Sequence, residues 1–366
     1  MMKKLYLSPY IFFLLKEGKT IIWDYKHHRQ YELKEEYYER LKILSQSKGY
    51  LCEEYEHIDK DLLEANLVSF EPYEVIDWKW DELGLIYHIG TQDVSGEDID
   101  QENDDNLFLE NYIQFCEEIA KDKEYSYISY EGDQVKLLRP NLEKLNNTSI
   151  LESFKNRMTS RSFNGERVSL EDFSTLLFTS FGLIHGDWEE LKNKNLRSLG
   201  VRKAHPSGGG MHPVEAYIIV FNVENTPAGI YHYNVKGHHL NKIADVCTYE
   251  CLKRALCGQF FVEGISFGIF LVAHFSKVWD KYVHSRSYKD VYLDAGHVSQ
   301  TFLLSATSLS LLTWESAWFK DSSVCELLKI NGTSVSPMFF LGVGYGEKIA
   351  VPKKLENYIN DKKNYS

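Results

Sequence analysis

The first part of the chain alternates short apolar runs with polar turns and then changes to helical spacing. Two apolar runs, Tyr10 to Leu15 and Thr20 to Tyr25, flank a four-residue turn that contains Gly18, which predicts a β-hairpin. Apolar residues then recur every three or four positions from Leu33 to Leu44, and a second short helical pattern begins at Asp59. Strands followed by short helices in so small a span indicate a winged-helix-like module.

Beyond residue 150 the pattern indicates longer helices and buried strands. Leu170 to Phe178 has the spacing of an amphipathic helix, and Tyr292 to Leu312 predicts a long helix rich in small residues. Apolar runs predict four strands, at Ala216 to Asn222, Gly229 to Tyr233, Gly264 to His274 and Met338 to Val343. Because helices and strands mix without strict alternation, the fold class predicted is α+β rather than doubly wound.

The connection between these two parts is polar. A helix predicted from Leu107 to Ala120 is followed by a polar stretch, Pro140 to Asn147, where we place the domain boundary. The predicted domains are therefore residues 1–147 and 148–366. The segment Asp93 to Asn106 is almost entirely acidic and polar, which predicts a flexible solvated connection, with a docking patch for a basic partner as the alternative.

Charge narrows the range of partners. Residues 1–140 hold 16 Lys and Arg against 31 Asp and Glu, whereas the rest of the chain holds 25 against 22. A nucleic-acid surface needs clustered positive charge, so we expect no nucleic-acid partner for the acidic part, whereas a basic peptide remains open.

Composition predicts a globular protein of the cytoplasm. With 366 residues, of which 43% are hydrophobic, the chain can bury a substantial core. It contains nothing near the run of about 20 apolar residues that a membrane span needs. Six cysteines are too few for a secreted disulfide scaffold, and no pair of ligands completes a metal set with Cys247 and Cys251, so no metal is expected.

One candidate segment combines guanidinium and hydroxyl groups. Arg157 and Arg161 lie four positions apart around Thr159 and Ser160. Forked guanidinium donors match phosphate oxygens or the edge of a heterocycle, and hydroxyls add short hydrogen bonds, so the segment suits an anionic ligand. The alternative is an exposed helix end with basic residues, which would show the same sequence pattern.

Two further candidate segments are rich in glycine. Pro206, Ser207, Gly208 and Gly209 belong to a loop with three consecutive glycines just before a predicted strand. Ordering such a loop is costly unless its backbone approaches a flat ligand, although an ordinary flexible loop is the alternative. Residues 341–346 contain Gly342 and Gly344 at a spacing that does not fit a dinucleotide fingerprint, so a strand that ends in a glycine turn beside a ligand is the better interpretation.

These segments, with residues 292–300 and the pair Lys281-Tyr282, resemble the SagB-type (McbC-like) dehydrogenases of the FMN-dependent nitroreductase superfamily. The resemblance spans about Phe154 to Glu347. It implies a nitroreductase-type fold with a mixed central sheet flanked by helices. The N-terminal region looks like the small domain that is thought to help hold the peptide substrate in that family.

The resemblance also implies where flavin mononucleotide (FMN) would bind. Arg157, Thr159 and Arg161 match positions that contact the phosphate, ribityl chain and pyrimidine edge of FMN. Four residues match the loop near the isoalloxazine: Pro206, Ser207, Gly208 and Gly209. Gly342 and Gly344 match the closing strand. Family members are usually homodimers with two flavin sites at the interface, and residues 294–297 look like the interface helix.

The chain departs from the family after that helix. Ser310 and Leu312 occupy positions where glycines are expected. A backbone amide in this region typically contacts the flavin N5 atom, and Glu315 and Ser316 are the candidates here. Trp314 and Trp318 are candidates to narrow the substrate pocket.

The resemblance finally implies a reaction. In the family, a thiazoline or oxazoline ring of a ribosomally made peptide loses a proton from one carbon and a hydride from the next to the flavin, and Lys281 and Tyr282 match the catalytic pair. The base must be close to neutral pKa, which a lysine reaches when it is desolvated or lies beside positive charge. Because adjacent helical residues point about 100° apart, both can reach one substrate only from a loop or a helix end.

Two alternatives remain open from the sequence. The same flavin, recharged by NAD(P)H, would reduce dehydroamino acids in a lanthipeptide-like precursor. A catalytically silent peptide-binding subunit of a modifying complex is the other alternative, although the intact FMN-contact positions argue against it. A cyclodehydratase or another modifying enzyme is the expected protein partner.

Overall fold

The computed structural model describes residues 3–46, 50–51, 53–74, 76–93, 105–120, 125–186, 190, 193–194 and 200–363. Contacts divide the chain into two compact units. The first unit is Met1–Gln101 with His284–Arg286, and the second is Glu102–Val283 with Ser287–Ser366. Residues 94–104 of the predicted acidic connection lie outside the described residues.

The first unit contains the predicted hairpin. Its strands are β1 (Tyr6–Leu7), β2 (Ile11–Lys16), β3 (Lys19–Asp24), β4 (Arg29–Leu33) and β5 (Val68–Ser69). Strands β2, β3 and β4 form an antiparallel sheet, and β1 pairs with β5. Glu17 and Gly18 between β2 and β3 both have positive φ, 53° and 76°, as a two-residue hairpin loop requires.

Helices pack on this small sheet through an apolar core. They are α1 (Glu35–Ser45) and α2 (Glu56–Glu64), with a 3-10 turn at Glu53–Tyr55; a third helix, α3 (Glu82–Ile89), contributes no residue to this core. Leu41, Leu44, Ile58 and Leu62 of α1 and α2 are buried together with Ile22 of β3. The hairpin strands β2 and β3 and the helices α1 and α2 match the N-terminal pattern, whereas β4 and α3 were not predicted.

One buried ion pair ties α1 to α2. Arg40 donates from Nε and Nη2 to the two carboxylate oxygens of Asp59, both at 2.7 Å, and Nη2 also donates to the carbonyl of Tyr50 at 2.8 Å. Only 3% of the Arg40 side chain and none of the Asp59 side chain is exposed. Because both charges are removed from water, each compensates the desolvation penalty of the other.

The second unit is built on a large sheet. Its described strands are β6 (Gln134–Lys136), β7 (Ser162–Phe163), β8 (Val214–Val220), β9 (Gly229–Asn234), β10 (His239–Ala244), β11 (Phe267–His274), β12 (Leu312–Ser316), β13 (Val335–Gly344) and β14 (Gly346–Glu347). Seven of them form the order β12-β13-β11-β8-β9-β10-β6 through antiparallel pairs. A parallel bridge between Thr159 and Thr313 makes the β12 edge mixed.

Helices cover both faces of this sheet. The described helices of the unit are α4 (Asp105–Ala120), α5 (Ile150–Asn156), α6 (Leu170–Phe181), α7 (Tyr249–Ala255), α8 (Ser276–Trp279), α9 (Ser287–Ser308), α10 (Asp321–Leu328) and α11 (Lys353–Lys363), with 3-10 turns at Leu142–Asn147, Gly208–Gly210 and Phe260–Val262. Side chains of β11 alternate between the two faces, so Ile269 and Leu271 pack with α6 and α9, whereas Phe270 and Val272 pack with α7 and α10. The predicted α+β class is confirmed. No helix in the described ranges is long and apolar enough to cross a membrane.

Two boundaries differ from the sequence-based prediction. Strand β6 lies before residue 147 yet pairs with β10 in the large sheet, so the observed units divide after Gln101 rather than at the polar stretch from Pro140 to Asn147. The long helix ends at Ser308 instead of continuing to Leu312. Ser310 then has φ of 61°, which breaks the helix, and Leu312 begins β12.

Replacing Asp59 with Ala should destabilise the first unit by about 3–5 kcal/mol, because Arg40 would remain buried without its partner. Urea denaturation of the full chain measures the change. Glu64→Ala is the control, since the Lys60–Glu64 pair has side chains that are 75% and 69% exposed, and its loss should cost about 0.5 kcal/mol or less. Equal effects of the two substitutions would contradict the structural role of the buried pair.

Candidate functional site

The glycine-rich segment forms an ordered loop, residues 206–213, which we call the glycine loop. The Ser207 hydroxyl donates to Asp294 Oδ2 at 2.5 Å and accepts from the backbone N–H of His212 at 2.9 Å. Gly209 and Gly210 have φ of 57° and 68°, and the Gly210 N–H donates to the Ser207 carbonyl at 3.0 Å. The left-handed backbone at two successive positions explains why glycine is needed there.

Lys281 and Tyr282 converge on the glycine loop. Both backbone N–H groups donate to the Val278 carbonyl, at 3.2 and 2.9 Å, so the pair lies in the turn that follows the short helix α8. Lys281 Nζ donates to the Gly209 carbonyl at 3.4 Å. A Cβ atom at Gly208 would lie 3.9 Å from the Tyr282 hydroxyl oxygen. The helix end thus brings together two side chains that a continuous helix would separate.

The Tyr282 hydroxyl is held in its neutral form. Burial raises the pKa of Tyr282, and the nearby Tyr112, Asp290, Cys116 and Asp294 raise it further. A neutral phenol both donates and accepts a hydrogen bond, so Tyr282 is able to orient a substrate and to pass on a proton.

The arginine segment lies against the edge strand β12. Thr159 bridges Thr313, and the Ser160 N–H donates to the Thr313 carbonyl at 2.9 Å. Burial raises the pKa of Glu315. The nearby charge of Arg157 lowers the pKa of Glu315, but this effect is smaller, so the pKa is raised overall. The structure therefore brings the arginine segment together with the region after the long helix.

The two arginines have different surroundings. Arg161 donates from Nη1 to the Ala350 carbonyl at 2.9 Å and lies over the Phe261 ring at 5.4 Å from the centroid. The half-buried Arg157 guanidinium makes no hydrogen bond or ion pair to any residue that the structure describes. Arg157 is thus the arginine whose donors are available to an anion.

The remaining predicted residues belong to β12 and β13. Ser316 donates from its hydroxyl to Gln259 Oε1 at 3.0 Å and accepts from the Trp318 N–H at 3.0 Å. A Cβ at Gly342 would lie 3.2 Å from Trp314 Cε3, and one at Gly344 would lie 3.0 Å from the backbone nitrogen and hydroxyl of Ser266. Close packing inside the protein explains both of these glycines.

The predicted site residues form two separate groups in one chain. The glycine loop is hydrogen-bonded to Asp294, near the start of α9. Ser153, four residues before Arg157, contacts Ser308 at the end of α9, with 2.9 Å between the hydroxyl oxygens. Asp294 and Ser308 are about 20 Å apart along the helix axis, since each residue adds 1.5 Å. A single chain therefore does not bring the arginine segment to the glycine loop.

Sequence reasoning missed a buried charged cluster beside the glycine loop. Glu215 is hydrogen-bonded to Lys277 and, at 3.3 Å, to His232 Nε2, and all three side chains are almost completely buried. Although burial alone would raise it, the pKa of Glu215 is lowered overall, chiefly by the Lys277 ammonium. A lone acid in the apolar strand β8 was the available signal.

Lys203 joins this cluster and lies only four residues before Ser207. Burial lowers the pKa of Lys203 to about 8, with Glu215 opposing the shift and Lys277 adding to it. Nothing in the local sequence marks Lys203 as buried, because it stands in a polar stretch beside Arg202.

Comparison with known proteins identifies the large unit. Residues 154–345 match the model of the nitroreductase family. A nitroreductase-like protein of Methanocaldococcus jannaschii is 26% identical over 213 residues, which are 58% of this chain and 98% of that protein.

Two further relatives are named for peptide processing. The trifolitoxin-processing protein TfxB of Rhizobium leguminosarum bv. trifolii is 31% identical over 36% of this chain and 36% of its own length. The microcin B17-processing protein McbC of Escherichia coli is 28% identical over 38% of this chain and 52% of its own length. The matches thus span about half or less of these two relatives.

Replacing Gly209 with Ala should disturb the convergence of Lys281 and Tyr282. A Cβ there would meet Lys281 Nζ and lie 2.7 Å from the Tyr282 hydroxyl, in addition to the strain of positive φ. Gly165→Ala is the matched control, because Gly165 has φ of 75° and open space around its Cβ position.

The control should lose only about 1–2 kcal/mol of unfolding free energy to backbone strain, and Gly209→Ala should lose more. Thermal and urea denaturation measure both. Equal stability of the two variants would contradict the close approach of Lys281 and Tyr282 to the glycine loop.

Proposed function

The chain belongs to the nitroreductase family, and we propose that it is an FMN-dependent oxidoreductase acting on a ribosomally made peptide. The reaction we propose is dehydrogenation of thiazoline or oxazoline rings to thiazole or oxazole. The observation that carries this proposal is the convergence of Lys281 and Tyr282 on the glycine loop. Two relatives named for peptide processing support a peptide substrate.

The available donors fit a flavin phosphate. Arg157 is half-buried with a guanidinium that no described residue engages. Thr159 bridges β12, and the Arg161 N–H donates to the Ile349 carbonyl at 3.1 Å. A doubly charged phosphate would compensate Arg157 through charge-assisted hydrogen bonds. In this proposal the three residues hold the phosphate, ribityl chain and pyrimidine edge.

The glycine loop fits the flat ring system. A Cβ at Gly208 would be in ordinary van der Waals contact with Tyr282, at 3.9 Å, so glycine at this position leaves the loop backbone uncovered where a larger side chain would fill the space beside Tyr282. Pro206, Ser207, Gly208 and Gly209 would hold one side of the isoalloxazine. Glu315 and Ser316 on β12, with Gly342 and Gly344 on the paired strand β13, would complete the site.

A homodimer would join the two groups of residues. Because they lie at opposite ends of α9 in one chain, a second copy is needed to bring the arginine segment to the glycine loop. Helix α9 exposes large apolar side chains that a partner would cover: Tyr288, Tyr292 and Leu293 are 39%, 54% and 57% exposed. We therefore propose two composite flavin sites per dimer.

Residues of the protein would remove the ring proton in this reaction. Bound FMN would supply two-electron redox chemistry, accepting a hydride from the ring. Lys281, held at the glycine loop through the Gly209 carbonyl, would take the proton from the neighbouring ring carbon, and the neutral Tyr282 hydroxyl would orient the ring or relay that proton. The first unit, whose residues include most of the acidic excess, would help to hold the peptide.

The purified protein should be yellow and dimeric, with about one FMN per chain. Arg157→Ala and Arg161→Ala should each weaken FMN binding, because losing a hydrogen bond to a charged group costs about 1.5–3 kcal/mol, or roughly 10- to 100-fold in Kd. Flavin fluorescence titration and light scattering measure affinity and mass.

Arg167→Ala is the control, since Arg167 is exposed and donates only to Asn222 Oδ1, at 3.0 Å, among its described contacts. A colourless monomer that gains no flavin on incubation would remove the FMN proposal.

Lys281→Ala should keep its FMN but oxidise a thiazoline-containing peptide about 10²- to 10⁴-fold more slowly, because general-base catalysis contributes about that factor. Tyr282→Phe should slow the reaction less. Anaerobic single-turnover flavin reduction, with mass spectrometry for the loss of two hydrogens, makes the measurement.

Lys253→Ala is the control, because Lys253 lies on α7 and pairs with Glu250 at 3.3 Å. If Lys281→Ala reduces its flavin as fast as the parent, the base assignment is wrong. If the parent only adds two hydrogens to dehydrated peptides, the reductase alternative replaces dehydrogenation.

A further inference from the structure

We propose that Asp294 is a positioning residue that fixes the glycine loop of the flavin site from helix α9, acting through the Ser207 hydroxyl. The inference rests on the proposed function for the identity of the ligand. The positioning itself concerns only this chain's own residues and is open to test without a ligand.

The hydrogen bonds of Ser207 have a defined direction. The His212 backbone N–H is a donor only, so Ser207 Oγ accepts there, at 2.9 Å. The single hydroxyl proton of Ser207 is then directed to Asp294 Oδ2, at 2.5 Å. The Ser207 hydroxyl thereby connects α9 to Ser207 and His212, the two ends of the glycine turn. Removal of the Asp294 carboxylate would leave this hydroxyl without its acceptor and free to rotate.

The loop has a conformation that needs such a restraint. Besides Gly209 and Gly210, His212 has positive φ, 42°, which a non-glycine residue adopts at an energetic cost. Backbone contacts hold the other side of the loop, because the Val201 N–H donates to the Gly210 carbonyl at 2.9 Å. Asp294 supplies the restraint from the α9 side and is itself only 4% exposed.

Charged and titratable groups surround Asp294 on several elements. Asp290 and His297 lie on α9 itself, Lys203 approaches from the segment before the glycine loop, and Tyr125 and Tyr282 approach from two other segments. Burial raises the pKa of Asp294 to about 6, against the opposing effect of the Ser207 hydrogen bond. The carboxyl group therefore changes from neutral to ionised as the pH rises through about 6.

This titration has opposite effects on the fold and on the loop. Because the pKa in the folded state is above its usual value of 3.8, the contribution of Asp294 to stability is greatest below that value and falls as the pH rises through about 6. The ionised carboxylate, in contrast, makes a charge-assisted bond to Ser207 that is roughly twice as strong as a neutral one. As the pH rises through about 6, the loop should gain rigidity while the contribution of Asp294 to the stability of the fold is lost.

The test compares Asp294→Ala and Asp294→Asn by hydrogen exchange of residues 204–213 in the flavin-free protein, at pH 5 and pH 7.5, after correction for intrinsic rates. Asp294→Ala should exchange the loop amides at least about tenfold faster at pH 7.5, since the acceptor is lost. Asp294→Asn retains an acceptor oxygen, so it should remain closer to the parent. Its loop protection should also lose the pH dependence that the parent shows.

Asp361→Ala is the matched control, because Asp361 is an exposed acid on α11 and is not among the groups that shift the pKa of Asp294. Exchange of β11, residues 267–274, reports whether each variant is folded. FMN titration of the same variants measures the consequence for the site, where Asp294→Ala should bind at least about tenfold more weakly and Asp294→Asn less so.

Loop exchange in Asp294→Ala that equals that of Asp361→Ala overturns the positioning role. Faster exchange with unchanged FMN affinity also overturns it as a feature of the flavin site, while leaving the proposed function intact. If the parent binds no FMN, the proposed function fails, and the exchange comparison still decides whether Asp294 positions the loop.

Discussion

The antiparallel pairing of β8 with β11 is the constraint on which the rest of the second unit depends. Because Val214 at the start of β8 pairs with Ala273 near the end of β11, the segment before one strand and the segment after the other meet at the same edge of the sheet. The His274 N–H donates to the Pro213 carbonyl at 2.9 Å and closes this junction. The glycine loop and the Lys281-Tyr282 turn, about 70 positions apart in sequence, become neighbours for this reason alone.

The sequence was sufficient for the elements whose apolar periodicity is strong. The hairpin around Gly18, the helix beginning at Leu170 and the strand ending at His274 were all predicted, because burial of one or both faces leaves a regular pattern. Polarity was a poor guide to the domain boundary, since the polar stretch Pro140 to Asn147 lies within the second unit. A short strand such as β6 has too few residues to show a period.

The site was predictable only in part, for a physical reason. Motifs identify residue types that suit a ligand, but proximity depends on long-range pairing that local sequence does not encode. Gly209 and Lys281 proved to be neighbours, whereas Arg157 and Gly209 lie toward opposite ends of α9. Lys203 was missed because its burial arises from tertiary packing, and Gly342 and Gly344 have packing reasons that would produce the same motif without any ligand.

The inclusion of residues 284–286 in the first unit has a topological consequence. The division between units crosses the sequence three times, after Gln101, Val283 and Arg286, so neither unit is one continuous segment. Arg286 donates to the Thr91 carbonyl at 3.2 Å, which is a contact between distant parts of the same unit. A cut of the chain after residue 101 would therefore separate residues 284–286 from the rest of the first unit.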